Sequence, residues 1–499
     1  MRRRITMAAA AAGLAAAALA GGAGGAAAQM RDDVTVAIQL EPPNLDPTSN
    51  AAQAVDSVLY ANVLEGLTRI RADGSVAPAL AARWDVSADG TEYTFHLQGG
   101  VTFHDGTAMD ADDVVFTLER ARAEGSTNAQ KDLFEGIASV DALDPLTVRV
   151  TLERPDGAFP FKMAWGDAVI VAPESAGALA AAPVGTGPFR LARWARGDRI
   201  ELERFDGYWG EAPALARATF RFIADPTAAF AAVMAQDVDA FVGFPAPENL
   251  AQFEADPRFQ VLVGTTEGET ILAMNNARPP FDDARVREAM ALAIDRQEII
   301  DGAQYGYGTP IGTHFAPHHP DYVDLLALSP HDPARARALL AEAGLPEGFE
   351  TTLKLPPPSY ARRGGEIAAS QLAEVGISAR IENVEWAQWI EEVFTRHDFD
   401  LTIVSHTEPM DIGIYARPDY YLGYANAELG AVMEELGAAT DPAARSALLR
   451  RAQAIIAEDH AAAFLFELAV ATVADARLRG LWQDQPTAAV DLTGVSWAQ

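Results

Sequence analysis

The chain has 499 residues, more than a single hydrophobic core normally organises, so two or three folding units are expected. Its content of 49% hydrophobic and 22% charged residues is typical of a folded globular protein and excludes a disordered chain. With 38 basic against 70 acidic residues, the protein repels nucleic acid and anionic lipid, so neither is expected as a partner.

Residues 1–28 are predicted to be a cleavable signal peptide. Arg2, Arg3 and Arg4 precede an apolar run rich in alanine, and the alanines at 26–28 supply small residues for cleavage after Ala28. General secretion is favoured, and twin-arginine export stays open because of the consecutive arginines. Since the chain has no cysteine, it has no lipid-modified cysteine after the signal and no disulfide. We expect a freely soluble protein in a bacterial periplasm.

The first segment of the mature chain combines a strand with a polar loop. A strand predicted at 34–38 is followed by E-P-P-N-L-D-P at 41–47, and then by Thr48, Ser49 and Asn50 at the start of a helix. A polar loop that leads into a helix exposes backbone donors. These three residues are therefore candidate ligand contacts, with simple helix capping as the alternative.

Two further blocks have recognisable spacing. The block F-H-D-G-x-x-x-x-A-D-D-V-x-F-x-x-x-R at 103–120 predicts a turn and an acid-capped helix start. The block V-G-T-G-P-F at 184–189 is followed by Tyr-Trp at 208–209. Its glycines allow close backbone approach, so Gly185 and Thr186 could contact either a ligand or a neighbouring strand.

A buried strand is predicted to lead into a helix at 274–301. Pro279 and Pro280 exclude a helix where they lie, and Asp282 or Asp283 can cap the helix that follows. Apolar residues then recur at the spacing of one buried helix face. The whole pattern is N-x-x-x-x-P-F-D-D-x-R-V-R-x-A-x-x-x-A-I-D-R.

Together these stretches resemble the peptide/nickel family of ABC-transporter solute-binding proteins, family 5, over essentially the whole mature chain. The resemblance implies an α/β, two-lobed periplasmic-binding-protein type II fold with an extra subdomain in the first lobe. Strands near 265–273 and 464–473 would join the lobes. The expected ranges are lobe I at 29–270 with an inserted subdomain at about 50–180, lobe II at 271–470, and a return to lobe I at 471–499.

The stretch 399–424 is predicted to place polar and aromatic groups at the carboxyl end of a buried strand, where α/β sheets bind ligands. In peptide-binding members the resemblance implies G-W-x-x-D-x-x-D-P here, with the first aspartate pairing with the peptide amine. This chain departs from that pattern, because Ser405 and His406 replace Gly-Trp. Glu408 and Asp411 are the available carboxylates, and the sequence leaves open which of them binds an ammonium.

Four more candidates follow from the resemblance. Tyr360, Arg362 and Arg363 resemble a segment that supplies an arginine for a ligand carboxylate, which a guanidinium binds through two parallel bonds. Trp386 matches an aromatic residue expected near the cleft. Helix-surface arginines and core packing of the tryptophan are the alternatives.

No metal or other cofactor is expected. His314, His318 and His319 invite a metal test, since imidazole suits nickel, but a proline-flanked loop more often simply contains histidines. An exported hydrolase is disfavoured, because the sequence has no G-x-S-x-G, no H-E-x-x-H and no cysteine.

The resemblance therefore implies a non-catalytic periplasmic receptor, expected to be a monomer, that closes its lobes on a small ligand and presents it to the permease of an ABC importer. A short peptide or an amine-bearing peptide-like compound is the expected ligand. A non-peptide solute such as an opine, an oligosaccharide or a nickel chelate is the alternative, as is a sensory receptor.

Overall fold

A computed structural model of the chain describes residues 31–49, 52–408 and 410–498. The predicted signal peptide and Asn50 lie outside the described residues. The strands are β1 (Asp33–Ile38), β2 (Thr68–Ile70), β3 (Val76–Pro78), β4 (Ala81–Val86), β5 (Glu92–Leu97), β6 (Ile137–Asp144), β7 (Thr147–Leu152), β8 (Phe189–Ala195), β9 (Arg199–Arg204), β10 (Arg217–Phe222), β11 (Ala240–Val242), β12 (Phe259–Met274), β13 (Gly308–Pro310), β14 (Phe349–Leu355), β15 (Ile377–Asn383), β16 (Leu401–His406), β17 (Ala462–Asp475), β18 (Leu478–Arg479) and β19 (Ser496–Trp497).

The helices are α1 (Gln53–Leu59), α2 (Ala111–Arg122), α3 (Phe159–Lys162), α4 (Pro226–Met234), α5 (Leu250–Glu254), α6 (Ala284–Leu292), α7 (Arg296–Gln304), α8 (Pro333–Glu342), α9 (Ser359–Glu374), α10 (Trp386–Trp389), α11 (Ala427–Ala438) and α12 (Pro442–Glu458). No helix in these described ranges is both long enough and apolar enough to cross a membrane.

One large sheet extends through the molecule and is shared by two lobes. Its strand order is β15-β14-β16-β12-β17-β11-β1-β10-β9-β8, with β13 paired to β17. The first lobe is built on the end of the sheet that contains β1 and β8–β11, and the second lobe on the end that contains β14–β16. The two connecting strands, β12 and β17, are antiparallel and pair from Phe259↔Asp475 to Ala273↔Ala462. The α/β, two-lobed architecture predicted from the sequence is therefore observed.

A separate antiparallel sheet, in the order β4-β5-β7-β6, lies within the range predicted for an inserted subdomain. In β5 and β7 every second residue is buried, so the two central strands bury one face of the sheet. Helix α2 covers this face, and its N-cap Asp110 and Asp113 form a reciprocal capping box. The acid-rich helix start of the 103–120 block is thus an architectural feature.

The amphipathic segment at 282–301 forms two helices rather than one. Asp283 caps α6, which resolves the choice between Asp282 and Asp283. The apolar spacing continues through Ile294, but Asp295 accepts hydrogen bonds from the backbone amides of Gln297 and Glu298 and so starts α7. The new cap interrupts the helix although its buried face continues.

The glycine-rich block at 184–189 packs inside the first lobe. A Cβ atom placed on Gly185 would lie 2.0 Å from the carbonyl oxygen of Val63. Thr186 is fully buried and donates a hydrogen bond to Glu65 Oε2 at 2.8 Å. Trp209, from the Tyr-Trp pair, donates to the same oxygen at 2.9 Å. The structure therefore does not support Gly185 and Thr186 as ligand contacts and assigns them to a neighbouring segment of the fold.

We expect Gly185→Ala to reduce the free energy of unfolding by about 1–3 kcal/mol, because the new methyl group overlaps the Val63 carbonyl and the backbone must move. Urea denaturation followed by circular dichroism measures this change. Gly177→Ala is the matched control, since a Cβ there meets nothing within 4 Å. Equal stability of the two variants would contradict the packing role of Gly185.

Candidate functional site

A cavity of about 700 Å³ lies where the two lobes meet the connecting strands. The first lobe contributes Asp56, Trp165 and Asp167, and the second contributes Thr407 and Glu408 just after β16. The floor is formed by residues 266–268 of β12 and 468–471 of β17. A space bordered by both lobes and by the strands that join them is suited to a ligand that both lobes grip.

The charged groups that line this cavity are all acidic. They are Asp56, Asp167, Glu267 and Glu408, and no Lys, Arg or His is found among the described residues that line the space. Glu267 is paired, because His318 Nε2 lies 2.6 Å from its Oε1. The cavity therefore has the electrostatic character of a site for a cation.

Asp56 and Asp167 contain the least compensated carboxylates of the cavity. In each, Oδ1 is buried and has no hydrogen-bond partner among the described residues. Burial raises the pKa of Asp56 to about 7, and burial together with the nearby charge of Asp56 raises the pKa of Asp167 to about 7. Both acids therefore hold a proton more strongly in the ligand-free protein than a solvated aspartate does.

The two carboxylates proposed for an ammonium have different surroundings. Glu408 lines the cavity and is exposed, and its Oε2 accepts a hydrogen bond from the amide of Thr407 at 3.2 Å. Asp411 does not line the cavity, and its Oδ1 lies 2.8 Å from His314 Nε2. Of the two, only Glu408 is free to meet a ligand in this conformation.

Behind the cavity wall lies a buried ionic cluster. Glu269 of β12 has its Oε1 3.0 Å from His314 Nδ1 and 3.3 Å from His406 Nδ1. His406 Nε2 lies 2.9 Å from the hydroxyl of Tyr421. Glu467, which faces Glu269 across the connecting strands, has both carboxylate oxygens buried without a hydrogen-bond partner in the described structure. His406 is therefore part of the internal framework and does not line the cavity.

The protonation states of this cluster follow from burial and charge. Burial opposes the charged form of His314, but the carboxylates of Glu269 and Asp411 outweigh it and raise the pKa well above the usual value. Burial raises the pKa of Glu467 well above its ordinary range, with the charge of Glu269 adding to the effect. The two carboxylates therefore favour the imidazolium form of His314, and burial favours the protonated form of Glu467 and also raises the pKa of Glu269.

The described residues include one group with metal-like spacing, Glu269, His406 and Asp411, whose ligand atoms lie within 4.8 Å of one another. Both carboxylates already contact His314, so ion pairing accounts for their positions. The histidines singled out in the sequence do not converge, because His318 binds Glu267 and His319 Nε2 lies 3.3 Å from the sulfur of Met410.

Thr48 and Ser49, which were predicted as ligand contacts at the first helix start, form hydrogen bonds within the first lobe. Thr48 Oγ1 donates to Asp46 Oδ1 at 2.6 Å and accepts from Arg120 Nη1 at 3.0 Å. The Ser49 amide donates to the carbonyl of Asp46 at 3.3 Å. Thr48 borders a second, smaller cavity of about 300 Å³ that it shares with Asp167. Neither residue lines the large cavity.

Four predicted residues of the second lobe also lie away from the cavity lining. Arg362 Nη2 donates to Val384 O at 3.1 Å and to Glu385 Oε1 at 3.0 Å, so it is engaged within the second lobe. Arg363 donates to the hydroxyl of Tyr305 at 3.2 Å. The Tyr360 hydroxyl accepts from the amide of Ser405 at 3.3 Å, and Trp386 packs edge-on against Trp389 with ring centroids 5.7 Å apart. The structure therefore does not support a carboxylate clamp built from these arginines.

Sequence reasoning missed the first-lobe wall of the cavity. Asp56 is in α1, and Trp165 and Asp167 flank a glycine in a short 3₁₀ turn at 166–168. The two segments are more than a hundred residues apart, and neither carries a spacing pattern of its own. The one local signal is Gly166, where a Cβ atom would lie 2.1 Å from Asp56 Oδ1.

Comparison with known proteins identifies relatives over most of the chain. Residues 75–427 match the middle region of the bacterial extracellular solute-binding proteins, family 5. The glutathione-binding protein GsiB of Salmonella paratyphi A is 34% identical over 371 residues, which are 72% of this chain and 71% of that protein.

Two solved structures show the likeness of fold. AgaA in complex with agropinic acid, from "A.tumefacien R10", is 26% identical, with a TM-score of 0.72 over 94% of this chain and 99% of that chain. MppA, a periplasmic murein tripeptide binding protein in an unliganded open form, is 20% identical, with a TM-score of 0.84 over 94% and 97% of the two chains. The fold thus superposes more closely on the open form than on the complex, although the sequence is less similar to it.

We expect His314→Gln to reduce the free energy of unfolding by about 3–5 kcal/mol at pH 7, because Glu269 and Asp411 lose the cation between them. A raised histidine pKa stabilises the folded state fully below the unfolded pKa, and this contribution is lost as the pH rises through the folded pKa. The difference from the wild type should therefore shrink in alkaline buffer. Urea titrations between pH 6 and pH 10 measure it.

The control for this variant is His331→Gln, because His331 is partly exposed and its Nδ1 lies 3.6 Å from Asp295 Oδ2. It should change stability little. If His314→Gln changed the free energy of unfolding no more than His331→Gln does, the imidazolium bridge would be contradicted.

We expect Asp167→Asn to increase the stability of the ligand-free protein by about 1–3 kcal/mol at pH 8. A carboxyl group whose folded pKa is raised destabilises the folded state as the pH rises from its unfolded pKa towards its folded pKa of about 7. The gain should be smaller at pH 5, where the folded-state carboxyl group is protonated. Thermal denaturation at both pH values measures the difference, and a loss of stability at pH 8 would contradict it.

Proposed function

The chain belongs to family 5 of the bacterial extracellular solute-binding proteins, and from that premise we propose that it captures a short peptide or another amine-bearing, peptide-like compound between its lobes. The observation that carries the ligand class is the 700 Å³ cavity, whose charged lining groups are all acidic among the described residues. An ammonium held between partly desolvated carboxylates gains more than it would in water.

Capture by lobe closure has two lines of support. The cavity receives side chains from both lobes, so a ligand that binds both can favour a closed arrangement. The better superposition on the unliganded open form of MppA than on the AgaA complex is consistent with an open conformation here. The connecting strands β12 and β17 are the segments across which the lobes would move.

We also propose a role in transport, which the family supports. The receptor is exported to the periplasm by its signal peptide, acts as a monomer and delivers its ligand to the membrane permease of an ABC importer. The family is one of solute-binding proteins, and no enzymatic activity is assigned to this chain.

We expect dipeptides and tripeptides with a free amino terminus to raise the melting temperature of the mature protein, and their N-acetylated forms to have little effect. A ligand at about 100 times its dissociation constant adds roughly 2.7 kcal/mol to the free energy of unfolding. Glu408→Gln should weaken the free peptides about 10-fold or more, since a hydrogen bond to a charged group is lost. Thermal shift and calorimetry measure affinity, and small-angle X-ray scattering should show a smaller radius of gyration on binding.

Asp141→Asn is the control, because Asp141 lies on an exposed position of β6 away from the cavity. Binding of the acetylated peptides as tight as that of the free peptides would contradict the amine assignment. A protein that responds to no peptide would contradict the peptide-like ligand.

A further inference from the structure

Buried carboxylates in a folded protein are normally paired, since burying a charge without a partner is costly. The acids around the cavity mostly follow this rule, as Glu267 does with His318 and Glu269 does with His314. Asp167 is an exception to this rule. The residue is only 4% exposed, its Oδ1 has no hydrogen-bond partner among the described residues, and it lines the cavity.

The chain brings a second unpaired carboxylate to the same wall. Asp56 lies against the 3₁₀ turn that holds Asp167, and the close approach requires glycine at 166, where a Cβ would overlap Asp56 Oδ1. Asp56 Oδ1 is likewise buried without a partner in the described structure. The backbone therefore holds two carboxylates of like charge together, and neither forms an ion pair with a cationic side chain among the described residues.

A cation that shares a cavity with Asp167 is engaged elsewhere. Arg120 borders the smaller cavity that adjoins Asp167, but its Nη1 donates to Thr48 Oγ1 at 3.0 Å and its Nη2 lies 3.7 Å from Asp46 Oδ2. Trp165, which precedes the glycine, lines the large cavity beside the two acids. The face of an indole ring adds attraction for an ammonium at a site that already has negative charge.

We infer that Asp56, Asp167 and Trp165 form a cation subsite on the first-lobe wall of the cavity, which binds a protonated amino group of the ligand. This inference rests on the proposed function, because it places a second ammonium in the same cleft. Glu408 binds the other amino group from the second lobe. The ligand is therefore dibasic, and the part of the lining that the structure describes offers no cation for a ligand carboxylate.

This conclusion separates the ligand from glutathione, although GsiB is 34% identical to this chain. Glutathione has two carboxylates and one amino group, so it presents more negative than positive charge to an acidic wall. Two chemical sources supply the dibasic character, namely a peptide with a basic side chain and an aliphatic polyamine. They share two ammonium groups on a flexible spacer.

The test uses a pair of dipeptides that differ only in the second amino group, lysyl-alanine and norleucyl-alanine, measured by calorimetry on the mature protein. The wild type should bind lysyl-alanine about 10- to 100-fold more tightly than norleucyl-alanine, because its second ammonium group adds charge-assisted hydrogen bonds. Asp56→Asn and Asp167→Asn should each remove this preference while leaving norleucyl-alanine almost unchanged. Glu408→Gln should weaken both peptides, and Asp141→Asn should change neither.

A geometric variant tests the same subsite without removing its charge. Gly166→Ala displaces the Asp56 carboxylate through the overlap at 2.1 Å, so it should also reduce the preference for lysyl-alanine. Spermidine and glutathione complete the set. Tighter binding of spermidine than of lysyl-alanine would support the subsite with a polyamine as the ligand, and the reverse order would support it with a basic peptide. Tight binding of glutathione would overturn it.

The failure of this inference differs from the failure of the proposed function. If lysyl-alanine and norleucyl-alanine bound equally to wild type, or if the preference survived in both asparagine variants, the cation subsite would be wrong while the amine-binding receptor remained. If no amine-bearing probe bound at all, both proposals would be overturned.

Discussion

The pairing of the His314 imidazolium with two carboxylates is the interaction on which the interior of the second lobe depends. It lies between the carboxylates of Glu269 and Asp411, one on a connecting strand and the other on the loop that follows β16. Without it two negative charges would be buried close together, a penalty of several kcal/mol. The same contact joins the strand that crosses between the lobes to the loop that carries Glu408 into the cleft. The buried ion pairs therefore help to position Glu408 at the cavity.

The paired and unpaired acids of this protein have different consequences. Glu269 and Asp411 are paired with His314, whereas Asp56 and Asp167 have no pairing group among the described residues and raise the free energy of the ligand-free state. Part of this unfavourable energy is relieved when a cation enters the cleft. The cation can therefore bind with a larger net gain than it would on a surface where the carboxylates were already hydrated or paired.

Much of the fold could be predicted from local pattern. The strand expected near 464–473 matches most of β17, and the spacing after Pro280 located α6, with Asp282 or Asp283 as its cap. The break before α7 was missed because hydrophobic spacing records the buried face and not the cap. The two open choices for Gly185 could be decided only by knowing that the Val63 carbonyl lies against it.

The site was less predictable, for a physical reason. Motif reasoning selects residues that are conspicuous in one segment, such as the arginines at 362–363, and these are engaged by neighbouring groups of their own lobe. Asp56 and Asp167, which line the cavity, come from distant segments. They are distinguished only by a buried carboxylate oxygen that has no hydrogen-bond partner among the described residues. That property belongs to the tertiary structure. Because pairing depends on which distant side chains meet, the ligand of a relative does not fix the charge preference of this cleft, and its acidic lining argues for a cation.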